Sequence, residues 1–364
     1  MRRFLLLFLL LFSTFLLPAQ ERDTLPGRWI LTTRAHVGFI IAHRPAIMHL
    51  QKEHVRGFEV ELARPLNGAE DWQQAYALPL YSVAYQLFNL GDKEELGNGH
   101  ALLARIIFPF GKHHWLRTSL SAGLGIGYIE KRYNRYENYK NTAIGSHLNA
   151  TVNISYQANF RLSKRMLAEA GFEFTHFSNG TVRPPNLGIN IPTFHTGLSW
   201  FIGKPFPRTL QPTKPLKKTS FNKIIVGVGV KGIETENGIS KFGISVISYS
   251  RNWIISHKSR LCLGGDAFYD GTLAWKLERI KEKKVAPSTS YRVGVCFGYI
   301  LNVGKVGMLL QNGFYLVDTY KEDGIHYFKT GVEYQFSRKF MAGFYLKTHY
   351  AKADFFEYGV GYLF

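Results

Sequence analysis

Apolar and polar residues alternate with a period of two in segment after segment from Trp29 to the final Phe364. In a strand successive side chains point to opposite faces, so this pattern specifies strands with one apolar and one polar side. Sixteen segments carry it. They lie near 29–43, 55–64, 76–88, 100–110, 114–129, 143–161, 166–178 and 189–202, then near 222–233, 239–251, 257–270, 289–302, 305–318, 325–337, 339–350 and 353–364. Beyond the leader, no stretch approaches the run of ~20 apolar residues that a spanning helix needs. Amphipathic helical periodicity is almost absent. With 28 Phe, 20 Tyr and 35 Gly, the chain reads as all-β, a transmembrane antiparallel β-barrel of about sixteen strands.

The connections carry independent information. Those after odd-numbered segments are mostly long and polar (44–54, 89–99, 130–142, 179–188, 271–288), while many after even-numbered ones are tight, as at Gly111-Lys112-His113, Ser163-Lys164-Arg165, Val303-Gly304 and Ser337-Arg338. Outer-membrane barrels have short periplasmic turns and long external loops, so both termini are expected in the periplasm. The connections 65–75 and 203–221 break the rule. Residues 1–19 read as a secretory signal peptide, with Arg2 and Arg3 before the apolar Phe4–Leu17 and cleavage expected after Ala19. The expected parts are then 20–203, a Pro- and Lys-rich periplasmic connection 204–221, and 222–364. One sixteen-stranded barrel is favoured, because a single terminal signal serves the chain; two tandem eight-stranded barrels are the alternative. That signal is Phe364, preceded on its face by Tyr362, Val360, Tyr358 and Phe356. It resembles the one read by the bacterial barrel-assembly machinery.

The formal net charge of +19 would ordinarily suggest nucleic acid, but an exported chain meets another polyanion, the phosphorylated lipopolysaccharide of the outer membrane. No nucleic-acid partner is expected. Two cysteines, Cys262 and Cys296, are too few for a disulfide framework. Both fall on the lumenal parity of neighbouring strands, so a cross-strand bridge and two free packed thiols are both open. No metal-ligand cluster or cofactor motif stands out.

Strand parity isolates one region. Phe172, Phe174, His176 and Ser178 share a face, and Glu169, Glu173 and Thr175 share the other. In a membrane barrel the Phe face looks outward and the Glu face lines the lumen. On the next strand Asn190 shares the parity of Phe194, Leu198 and Trp200. Three polar side chains are thus expected to converge on the barrel's outer surface, at the external end. Polar groups there are costly unless they work, or unless they sit in the headgroup zone. His257-Lys258-Ser259 repeats the spacing at the opposite rim without the following Asn-Gly, and reads as rim polarity. Lys347, His349 and Glu357 fall on the lumenal parity and read as a buried network.

His176-Phe177-Ser178-Asn179-Gly180, followed by Asn186-Leu187-Gly188-Ile189-Asn190, resembles the motif of the lipid A 3-O-deacylase and acyloxyacyl hydrolase family of outer-membrane β-barrels. The resemblance implies a carboxylic ester hydrolase acting on lipid A, with Ser178 as nucleophile and His176 as base. It implies Asn179, the Gly180 backbone and Asn186 as oxyanion support, and no cofactor. Arg183, Lys131, Arg132 and Arg135 would pair with lipid A phosphates, or be ordinary loop charges. The chain departs from the family twice. Asn190 stands where the family has an orienting acid, and 222–364 is additional. The alternatives are an outer-membrane phospholipase or other esterase using the same pair, and a non-catalytic pore or structural barrel.

Overall fold

The computed structural model describes residues 21–110, 116–236, 238–350 and 352–364. The expected signal peptide and the turn at Gly111-Lys112-His113 lie outside the described residues. All sixteen alternating segments form strands that span a barrel wall. β2 (Trp29–Gly38), β3 (Val55–Pro65), β4 (Leu80–Asn89), β5 (Asn98–Phe110), β6 (Leu116–Ile129), β7 (Leu148–Arg161), β8 (Met166–Ser178) and β9 (Ile189–Ile202) close into one antiparallel barrel. β11 (Ser220–Thr235), β12 (Gly238–Ile254), β13 (Ser259–Asp270), β14 (Tyr291–Val303), β15 (Val306–Val317), β16 (His326–Gln335), β17 (Phe340–His349) and β18 (Lys352–Leu363) close into a second.

The favoured single barrel is therefore corrected to the alternative, two tandem barrels of eight strands. The reason lies in the closing ladders. β9 returns to β2 from Trp29↔Ile202 to Gly38↔Thr193, and β18 returns to β11 from Lys223↔Leu363 to Val228↔Tyr358. Neither barrel is left with a free edge to accept a strand of the other. The connection read as Pro- and Lys-rich also contains β10 (Phe206–Leu210), which pairs with β1 (Glu21–Leu25) in a two-stranded sheet. Two helices escaped the sequence reading: α1 (Asp71–Ala75), and α2 (Gly271–Lys281), where Asp270 caps the first turn through the Thr272 amide.

Each barrel is apolar outside and ionic inside. Phe172 and Tyr358 are 67% and 58% exposed on the outer walls, as a wall meeting lipid requires. Inside the first barrel Arg105 pairs with Glu59 at 2.7 Å and Glu173 at 3.1 Å, and Arg34 pairs with Glu61 at 2.7 Å. Inside the second, Lys329 pairs with Glu357 at 2.7 Å and Lys347 with Asp354 at 2.6 Å, with His349 3.3 Å from the Lys347 ammonium. Buried charges persist only when paired and hydrogen-bonded. Cys262 and Cys296 are both free; their cross-strand partners are Gly298 and Gly264, so the two thiols stand two residues out of register.

Candidate active site on the outer wall

β8 and β9 bring the expected residues together. His176 lies directly opposite Asn190 in the ladder, just as Phe172 lies opposite Phe194, so both occupy the outward face while Glu173 and Thr175 are buried in the lumen. His176 Nδ1 is 2.6 Å from Asn190 Oδ1. An amide oxygen only accepts, so Nδ1 carries the proton and Nε2 is left with a lone pair.

A third residue, absent from the sequence reading, decides which way the Asn190 amide points. Asn190 Nδ2 donates to His43 Nδ1 at 2.9 Å, and His43 Nε2 donates to the Leu187 carbonyl at 3.0 Å. With both imidazoles neutral, the shorter bonds have one consistent set of protons: His43 accepts at Nδ1, Asn190 turns its oxygen towards His176, and His176 is protonated at Nδ1. His43 arrives there because the β2–β9 pairing continues past Gly38, with the Ile41 amide donating to the Asn190 carbonyl at 2.9 Å. Its outward parity was legible, but its neighbour was fixed only by closure of the barrel.

Ser178 ends β8, and the turn after it is folded around its hydroxyl. Ser178 Oγ accepts from Asn186 Nδ2 at 3.0 Å and from the Gly180 amide at 3.3 Å. Asn186 Oδ1 accepts from the Asn179 amide at 2.9 Å, and Asn179 Nδ2 donates to the Arg183 carbonyl at 2.8 Å. Gly180 has φ of 60° and Thr181 of 67°, a left-handed pair that coils the loop back over the strand end. Ser178 and His176 share no hydrogen bond in this arrangement. Gly188 (φ 81°) leaves room for the imidazole, since a Cβ there would stand 2.7 Å from His176 Cε1.

Ser178 is outward, yet only 5% exposed, because the turn after it wraps its hydroxyl, and that turn is itself packed against the second barrel. Phe356 shares the outward parity of exposed Tyr358 and Val360, yet is only 7% exposed. The two surfaces meet. A Cβ on Gly180 would fall 2.3 Å from the Phe356 ring. The Gly232 amide donates to the Thr181 carbonyl at 2.8 Å, and Thr181 Oγ1 to the Ala353 carbonyl at 3.0 Å. Of the basic residues singled out, Arg132 and Arg183 stand near the seam without a carboxylate partner among the described residues. Arg135 pairs with Glu234 at 3.1 Å, and Lys131 donates to the Glu94 carbonyl at 3.1 Å. His257 Nε2 donates to the Lys214 carbonyl at 2.9 Å.

One group elsewhere has metal-ligand chemistry: donor atoms of His36, Glu59 and Glu173 in the first lumen lie within 4.8 Å of one another. Glu59 already pairs with Arg34 and Arg105, so a cation would compete with two guanidinium groups.

Residues 56–199 match the family described as lipid A 3-O-deacylase (PagL), and residues 220–364 match that described as acyloxyacyl hydrolase, C-terminal domain. No curated protein matches the chain. Among solved structures, neisserial surface protein A is 9% identical, covering 50% of this chain and 99% of its own, with a TM-score of 0.36. The outer membrane enzyme PagL is 16% identical, covering 46% and 97%, with a TM-score of 0.29. The resemblance carried by His176–Asn190 thus extends over both halves of the chain, and both matched families are hydrolases. With two closed barrels of apolar exterior, the chain is a bacterial outer-membrane protein.

Proposed function

From the likeness of both halves to hydrolases of lipid A, we propose that the protein removes an ester-linked acyl chain from lipid A at the outer surface of its first barrel. The observation that carries this reading is the outward His176–Asn190 pair, its protons ordered by His43, beside a serine wrapped in hydrogen-bond donors. Ser178 Oγ attacks the acyl carbonyl as its proton passes to His176 Nε2. A rotation of the hydroxyl away from Asn186 brings it to the imidazole; such bonds are often unmade before substrate arrives. The donors that held Oγ, the Gly180 amide and Asn186 Nδ2, are then placed for the oxyanion, with Asn179 fixing the loop. Collapse expels the sugar hydroxyl, which takes the proton from His176. Water, deprotonated by the same nitrogen, releases the fatty acid.

Asn190 holds the productive tautomer, as the amide does in Cys-His-Asn enzymes, but offers no charge to the imidazolium. The second barrel closes the loop side of Ser178, so the acyl chain enters along the half-buried His176 and Asn190. The test is mass spectrometry of lipid A incubated with the purified protein. Loss of one ester-linked acyl chain, absent with Ser178→Ala, is the expected result; equal release by Ser178→Ala would overturn the mechanism.

A further inference from the structure

Beside the covered serine the two barrels enclose a cleft of about 710 Å³, lined from the first barrel by Arg132, Arg135 and Arg183 and from the second by Glu234, Glu236 and Lys241. Only one of its four cations is neutralised: Arg135 pairs with Glu234 at 3.1 Å. Among the described residues the Arg132 guanidinium donates to the adjacent Tyr133 carbonyl alone, at 3.0 Å. Neither Arg183 nor Lys241 has an ion pair among the described residues. Partial burial, and after it repulsion by the Arg132 guanidinium, pulls Arg183 below its ordinary pKa. Although Glu234 and Glu236 line the same cleft, neither arginine is ion-paired among the described residues, which favours an anion between them, and their planar forks suit a phosphate monoester.

The position of the cleft says which phosphate. Its Arg183 wall is the turn that holds the nucleophile: Asn179, next to Ser178, donates to the Arg183 carbonyl at 2.8 Å. The cleft therefore lies just beyond the end of β8, at the height where the headgroup of a lipid sits if its acyl ester reaches Ser178. We propose that this seam is a binding site for a phosphate monoester on the glycolipid headgroup, completed only when the second barrel adds Lys241. The proposal rests on the deacylase reading for the identity of the glycolipid. It gives residues 220–364 a task, that of the far wall of the headgroup site.

Binding separates the two claims. Full-length Ser178→Ala protein in nanodiscs is titrated with lipid A and with the same lipid stripped of its phosphates. The phosphorylated lipid is expected to bind at least about tenfold more tightly, since each charge-assisted contact is worth ~1.5–3 kcal/mol. Adding Arg132→Gln and Arg183→Gln should bring that ratio towards one, and Lys241→Gln alone should lower it by about threefold. Heat-modifiable migration checks that the barrels are intact. Equal affinity for the two lipids, or a ratio unmoved by the substitutions, overturns the proposal. Displacement of the lipid by millimolar inorganic phosphate would also overturn it, by making the site one for the free ion. If the Ser178 protein hydrolyses no lipid A while the binding ratio persists, the deacylase reading fails and the phosphate site stands.

Discussion

The last hairpin of each barrel invites comparison. In the first, β8 and β9 are joined by the ten residues 179–188, and the outward pair nearest the loop is His176 opposite Asn190. In the second, β17 ends at His349 and β18 begins at Lys352, and the outward pairs nearest the turn are Thr348 opposite Ala353 and Leu346 opposite Phe356. Strand number, connectivity, apolar exterior and ionic lumen are shared. What differs is a loop long enough to fold donors back over the strand end, and a polar pair placed beneath it. The second barrel instead offers an aromatic face, where Phe344 and Phe356 pack with ring centroids 4.9 Å apart, and that face roofs the loop of the first. A barrel wall is thus a neutral scaffold; the candidate site lies where a long loop and outward polar residues coincide.

The largest effect that would break this comparison is loss of the pair itself. Ser178→Ala or His176→Ala should lower the rate of lipid A deacylation by about a thousandfold or more, and the double variant should be little worse than either, because the pair acts as a unit. Thr348→Ala, on the outer wall of the second barrel, should change nothing. An equal loss from Thr348→Ala in the mass-spectrometric assay would give the second barrel chemistry of its own.

Gly188→Ala should follow, with about a hundredfold lower kcat. The methyl group meets the His176 ring at a backbone φ of 81°, and displacements of about 1 Å at a reacting group cost that much. Unchanged kcat would mean that the imidazole is not held against this turn during catalysis.

Phe356→Ala tests the roof. Removing the ring uncovers Gly180 and loosens the turn around Ser178, so activity should fall about tenfold while limited proteolysis within 179–188 accelerates; misplaced donors alone cost more than this. If rate and cleavage pattern both stay as they were, the two barrels work independently.

The finest effect concerns His43. His43→Ala should lower kcat about threefold, roughly the worth of one neutral hydrogen bond, because the Asn190 amide is then free to flip. In an Asn190→Asp background the same change should have no effect, since both carboxylate oxygens accept and no flip exists. Asn190→Asp alone should raise kcat by stabilising the imidazolium. A His43→Ala loss that persists beside Asn190→Asp would assign His43 another role.

Much of the fold was legible. Every barrel strand appeared as period-two alternation, and parity alone put His176, Ser178 and Asn190 outward and Glu169, Glu173 and Thr175 inward. The helix at Gly271–Lys281 was missed because it runs into the charged stretch Lys281–Lys284 and the whole connection reads as a polar loop; its order comes from the Asp270 cap and from burial of Leu273 and Leu277. His43 was missed because nothing near it in the chain is Asn190.

The sequence by itself determined what is local: which residues alternate, which face each occupies, where long loops fall, and the motif from His176 to Asn190. These follow from geometry repeated every two residues. Only the tertiary structure decided what depends on strands distant in the chain. Alternation is the same in one barrel of sixteen strands as in two of eight; the pairings of β9 with β2 and of β18 with β11 chose between them, by satisfying each edge within its own half. The same closure brought His43 to Asn190. The turn 179–188 folded over the strand end made Ser178 a covered residue, and the docking of the second barrel packed Phe356 against that turn, because two apolar walls side by side bury what lies between them.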